Sequence, residues 1–88
     1  MVSQEVTIIN KLGLHARPAA MLVKTASKFA SDIYFKKDGL EVNGKSIMGV
    51  MMLAAEMGSK ILVVAKGPDE KEALAAVTAV FATKFGEE

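Results

Sequence analysis

A histidine, an arginine and a proline stand within four residues of one another in the run Gly13-Leu14-His15-Ala16-Arg17-Pro18-Ala19-Ala20, and His15 is the only histidine of the chain. A neutral imidazole nitrogen is a competent nucleophile toward activated phosphorus, and the ring titrates near neutrality. Pro18, followed by good helix formers, marks the first turn of a helix. A histidine at that point sits beside backbone N–H groups that have no partner inside the helix, and at the positive end of the helix dipole. That is where a phosphoryl group is best accommodated. Arg17 adds a permanent charge whose fork matches phosphate oxygens, and Gly13 gives the preceding loop the freedom to place the ring. Taken alone, a single histidine is more often a surface or capping residue. These neighbours instead point to a histidine that carries phosphate and, because a phosphoimidazole stays reactive, hands it on.

The elements that must position this run can be read along the chain. Residues 4–9, rich in Val, Thr and Ile, read as a strand. Residues 10–14 form a loop, and residues 16–29 a helix with the apolar stripe Ala19, Leu22, Val23, Ala26 and Phe29. Residues 32–37 and 40–43 are strands joined by Asp38-Gly39, a strong hairpin signal. Lys36 and Lys37 read as a solvated sheet edge. Ser46 is a good N-cap for a short helix over 47–54, which Gly49 weakens by about 1 kcal/mol relative to alanine, and Gly58 reads as its stop. Residues 60–66 are apolar without alternation, as expected of a centrally placed or doubly buried strand. Asp69 and Glu72 have the spacing of a capping box for a last helix over 70–84, with Ala73, Leu74, Val77, Val80 and Phe81 inward and Gly86 as terminator. The order is βαββαβα, which suggests one sheet covered by helices on one side.

Bulk properties exclude several classes. The chain of 88 residues is 51% hydrophobic, enough for one domain over residues 1–88 and no second. No apolar run reaches membrane-spanning length, and the N-terminus lacks the pattern of a signal peptide. With no cysteine and one histidine, disulfides, thiol catalysis and a transition-metal site are not expected. A net charge of +1 gives no general attraction to nucleic acid or an anionic membrane. No cofactor is expected, and the reducing cytoplasm fits the composition.

Two stretches resemble the HPr family, the histidine phosphocarriers of the bacterial phosphotransferase system. Gly13-Leu14-His15-Ala16-Arg17-Pro18-Ala19 is similar to the family's active-site signature, and Lys45-Ser46-Ile47-Met48-Gly49-Val50-Met51 to its regulatory-serine signature. Length, element order and motif spacing agree over essentially the whole chain. The resemblance implies an open-faced β-sandwich of α+β class, a four-stranded antiparallel sheet with three helices on one face. It implies that His15 accepts a phosphoryl group through Nδ1 from phospho-Enzyme I, itself charged by phosphoenolpyruvate, and donates it to an Enzyme IIA-type acceptor for sugar uptake. Arg17 would stabilise the group together with the backbone of Ala16 and Arg17. In this picture the protein is a substrate of phosphotransferases rather than an independent enzyme.

Ser46 needs no role beyond capping, yet the similar serine in many members is the target of an HPr kinase/phosphorylase, and in some bacteria the phosphoserine form binds a transcription regulator. Many members keep the serine where no such kinase exists. Phosphate at a helix start is tolerated, and its charge near the His15 surface would disfavour docking. A methionine stripe is usually core, but the helix after Ser46 is too short to bury Ile47, Met48, Met51 and Met52 together. The resemblance makes Ile47, Met48 and Met51, with Ala16, Ala20 and Lys24, a docking patch for partners, rimmed by Arg17, Lys24 and Lys45. Ser27 and Gly49 stand where enteric sugar-branch members often carry lysine, so a carrier of the nitrogen-related regulatory branch is the alternative. The patch is small and suits transient partners of a monomer.

Two readings from other classes are weaker. An acyl-phosphate hydrolase of similar size needs a glycine-rich phosphate cradle with an arginine and a water-positioning residue, and Pro18 directly after Arg17 removes a donor from any such cradle. A non-catalytic βαββαβ interaction module has no Cys-x-x-Cys for metal and few aromatics for RNA, and His15 argues against a regulatory paralogue that lacks the active histidine.

Overall fold

The computed structural model describes residues 1–86; residues 87 and 88 of the expected 1–88 unit lie outside the described residues. Four strands, β1 (Val2–Thr7), β2 (Asp32–Lys37), β3 (Leu40–Asn43) and β4 (Lys60–Lys66), and three helices, α1 (Ala16–Ala26), α2 (Ile47–Met52) and α3 (Glu70–Ala82), follow one another in the order βαββαβα. They form one antiparallel sheet in the order β1-β4-β2-β3. The expected fold class is therefore what the chain adopts.

Pairing explains which residues face the helices. Ile61, Val63 and Ala65 of β4 lie beside Val6, Gln4 and Val2 of β1, and Val63 and Ala65 beside Phe35 and Ile33 of β2. This face meets α1 and α3 in a core that holds Leu22, Ala26, Val77 and Phe81. Phe81 meets the Phe35 ring edge-on at 5.9 Å and the Phe85 ring at 5.3 Å, contacts worth about 1 kcal/mol each beyond area burial. Leu62 and Val64 point to the open side, where flanking strands still shelter them, so central position accounts for the missing alternation.

Four boundaries differ from expectation, and the last is α3, which ends at Ala82 rather than at 84 because Lys84 and Phe85 take positive φ and turn the chain out of the helix. β1 covers residues 2–7 rather than 4–9, because its register runs Val2↔Ala65 to Thr7↔Lys60 and β4 offers no further partner. Ile8 instead bonds the turn before β4, donating to Ser59 O and accepting from Gly58 N. α1 stops at Ala26, and residues 27–29 continue in tighter turns, with Lys28 N–H on Thr25 O and Phe29 N–H on Ala26 O. α2 stops at Met52, and the reversal is made by Ala54 in the left-handed region (φ 48°), not at Gly58.

Two further expectations are corrected. Lys36 and Lys37 are not on a sheet edge, since β2 lies between β4 and β3; Lys36 projects from the open face and pairs with Glu41 of β3 at 3.2 Å. Asp69 does cap α3 in position, but its carboxylate makes no capping bond. It accepts instead from Ala30 N (3.0 Å), Ser31 N (2.9 Å) and Ser31 Oγ, clasping the α1–β2 connection. The hairpin is as read: Asp38 and Gly39 both have positive φ, the twist that suits a two-residue turn.

Candidate functional site

The loop before α1 is held from three directions. Asn10, fully buried, donates Nδ2–H to Gly13 O at 2.8 Å, and Gly13 N–H returns to Asn10 O at 3.2 Å. Leu14 N–H donates to Ala55 O at 2.8 Å, tying the loop to the segment that leaves α2. Gly13 has φ +69°, and a Cβ there would lie 2.5 Å from Ala55 O, so both conformation and close approach require glycine. Leu14 and Pro18 are buried on either side of His15.

These anchors leave His15 at the N-cap of α1, half-buried, with extended backbone (φ −84°, ψ −170°). Its carbonyl accepts the first helical bond, from Ala19 N at 3.0 Å. The amides of Ala16 and Arg17 therefore belong to the first turn, where no carbonyl lies one turn back to receive them, and Pro18 has no N–H to offer. No acidic side chain occupies this turn, so the positive end of the dipole is left for an anion. Ala16, Arg17, Ala20 and Lys24 are all exposed along α1.

α1 and α2 pack against each other. The end of α2 reaches the His15 loop through Ala55, while its start reaches the far end of α1, where Lys45 Nζ donates to Phe29 O at 2.7 Å. Lys45 is thus a tether from the start of α2 to the end of the α1 segment, and its ammonium keeps its charge. Ser46 caps α2, accepting from Gly49 N at 3.2 Å. It stands at the opposite end of α2 from the His15 loop, a separation of about 9 Å along a six-residue helix.

Helix geometry sorts the α2 side chains. Val50 and Leu53 are buried, whereas Ile47, Met51, Met48 and Met52 occupy one continuous arc and are 43%, 45%, 75% and 66% exposed. Met52 extends the apolar face beyond the three residues expected. Sequence reasoning missed Asn10, Ala54 and Ala55 as positioning residues; only a loop asparagine three residues before a glycine hinted at the first. Among the described residues no cluster of three or more His, Asp or Glu is placed to hold a metal, and no helix is long and apolar enough to cross a membrane.

The open-faced sandwich holds one histidine at a helix start, beside an apolar helix face, an arrangement suited to a small protein that carries an anionic group. Comparison with known proteins agrees. The family described as PTS HPr component phosphorylation site matches residues 2–83. The chain is 51% identical to phosphocarrier protein HPr of Cupriavidus necator over 87 residues (99% of this chain, 98% of that one), and 50% identical to that of Treponema pallidum over the full length of both. The crystal structure of HPr from Thermoanaerobacter tengcongensis superposes with a TM-score of 0.96 at 50% identity, covering 100% of this chain and 99% of that one. The chain belongs to the HPr family, the phosphocarriers of the phosphotransferase system.

Proposed function

We propose that His15 is the phosphoryl acceptor and that the chain shuttles the group between two proteins in the cytoplasm. Nδ1 of the neutral ring attacks the phosphorus held on the histidine of phospho-Enzyme I; the new N–P bond forms as the donor's N–P bond breaks, and Enzyme I recovers its free imidazole. The group then leaves in the same way to a histidine of an Enzyme IIA-type acceptor that feeds sugar uptake. The observation that carries this reading is the placement of His15 at the start of α1, where the Ala16 and Arg17 amides and the dipole favour the phosphoryl oxygens. The exposed Arg17 neutralises part of the charge in flight.

Partners cover the face made by Ala16, Ala20, Lys24, Ile47, Met48 and Met51, adaptable enough to meet donor and acceptor in turn. Ser46 serves as a regulatory site for an HPr kinase/phosphorylase, and its phosphoserine form presents a surface to a transcription regulator. Because Ser46 lies one short helix away from His15, added charge there acts on the docking face first; screening over about 8 Å weakens any direct effect on the ring. The carrier works as a monomer and needs no cofactor.

The test is the intact mass of the protein after incubation with phosphoenolpyruvate and Enzyme I, before and after brief acid treatment. One phosphoryl group that acid removes is expected for the native chain and none for His15→Ala, whose circular dichroism should be unchanged. Equal labelling of the His15 variant would overturn the assignment.

A further inference from the structure

The sulfur chemistry of this chain is confined to methionine: it has six methionines, no cysteine and no tryptophan. Thioethers are therefore its most readily oxidised groups, and their accessibility decides which react. Met21 on α1 is partly buried against the core. Met48, Met51 and Met52 are instead exposed together on one arc of α2, at 75%, 45% and 66%. Each is open to solvent in the free molecule, Met51 the least, and α2 ends beside the loop that carries His15.

We propose that Met48, Met51 and Met52 form an oxidant-sensitive site that reversibly closes the docking face to partners. The inference rests on the reading of that face as the surface covered during phosphoryl transfer. With a peroxide as oxidant, each thioether sulfur attacks one peroxide oxygen; an S–O bond forms, the O–O bond breaks, sulfur loses two electrons and the other oxygen leaves as water. The product is a methionine sulfoxide, polar and chiral where an apolar chain stood. In the free protein the new oxygen stays in water, so folding is not opposed. Only when a partner covers the face must that oxygen shed water without an assured hydrogen-bond donor, and the cost then falls on docking alone. Methionine sulfoxide reductase reverses the step: the sulfoxide oxygen leaves as water while a dithiol is oxidised to a disulfide.

The experiment treats the full chain with hydrogen peroxide and follows oxygen addition by peptide mass mapping, the thermal midpoint, and kcat/KM for phosphoryl acceptance from phospho-Enzyme I. The expected result is oxidation at Met48, Met51 and Met52 ahead of Met21 and an unchanged midpoint. Acceptance should slow roughly tenfold or more, the effect of about 1.4 kcal/mol lost at the interface, and recover with the reductase and a dithiol. The M48L/M51L/M52L variant, whatever its untreated rate, should keep that rate after peroxide, although the exposed Met1 and Met57 still oxidise. Unchanged acceptance with all three residues oxidised, or an equal loss in the leucine variant, overturns the proposal. The untreated Met48→Asp variant separates the two readings. If it transfers at the native rate, the docking assignment itself fails; if it is impaired while sulfoxides are harmless, only the oxidant site fails.

Discussion

At the scale of single residues, the chemistry of His15 depends on neighbours that do none themselves. Gly13 shows this most directly, because an added Cβ would press on the Ala55 carbonyl in a backbone conformation that L side chains rarely adopt. The Leu14 N–H that seats the histidine loop donates to the same carbonyl. Gly13→Ala should cost about 2 kcal/mol, combining positive-φ strain with the forced displacement, and lower the thermal midpoint by roughly 10 °C. Calorimetry measures the first effect. Phosphoryl acceptance should slow as well, since the ring is displaced from the first-turn amides; a native rate with a lowered midpoint would show that the ring position does not depend on this contact.

At the scale of elements, α2 is short and relies on its cap and on two buried side chains, Val50 and Leu53. Ser46→Ala removes the acceptor for Gly49 N–H and should cost about 1 kcal/mol in urea unfolding. Ser46→Asp keeps a capping oxygen and adds a negative charge that the helix start accepts, so stability should stay near native. The same aspartate should weaken exchange with Enzyme I, read as a higher KM, because its charge enters the rim of the proposed docking face. The pair of variants thus separates the capping role of Ser46 from the proposed regulatory one. Lys45 holds α2 to the end of α1 through Phe29 O, which explains how so small a helix keeps its orientation.

At the scale of the whole molecule, the Asp69 clasp joins the start of α3 to the connection between α1 and β2. The Ser31 hydroxyl, then the Ala30 amide and the Ser31 amide, hold the Asp69 carboxyl below its usual value of 3.8. Glu70 is lowered likewise, by the Gly67 amide and by the N-terminal ammonium of Met1 at 3.1 Å. A carboxylate lowered in the folded state binds protons less readily than in the unfolded chain, so protonation favours unfolding. The stability it contributes is present above the ordinary carboxylate range and is lost as pH falls through the lower folded value. Asp69→Asn should therefore be less stable than the native chain at neutral pH, and the gap should narrow in acid. Urea midpoints between about pH 7 and pH 3 measure this; parallel curves for the two proteins would show that the clasp does not titrate.

Much of this was legible in residue order because the signals were local. The Asp38-Gly39 turn and the β-branched runs beside it place β2 and β3, the continuous apolar run places β4, and the HPr-like run around His15 places the start of α1. What residue order could not supply was set by contacts between segments far apart in the chain. The span of β1 depends on where β4 can pair with it, and Lys36 stands on an interior strand only because β4 crosses between β1 and β2. Asp69 has the spacing of a capping residue, yet its carboxylate turns to Ala30 and Ser31, which folding brings within hydrogen-bond reach. The candidate site divides in the same way. The sequence by itself determined the proposed nucleophile, the arginine beside it and the helix start, since these lie within one turn of chain. Only the tertiary structure decided that the end of α2 seats the histidine loop through Ala55, that Lys45 is a tether, and that three methionines stay exposed on one arc of α2, because each depends on how α1 and α2 pack against one sheet.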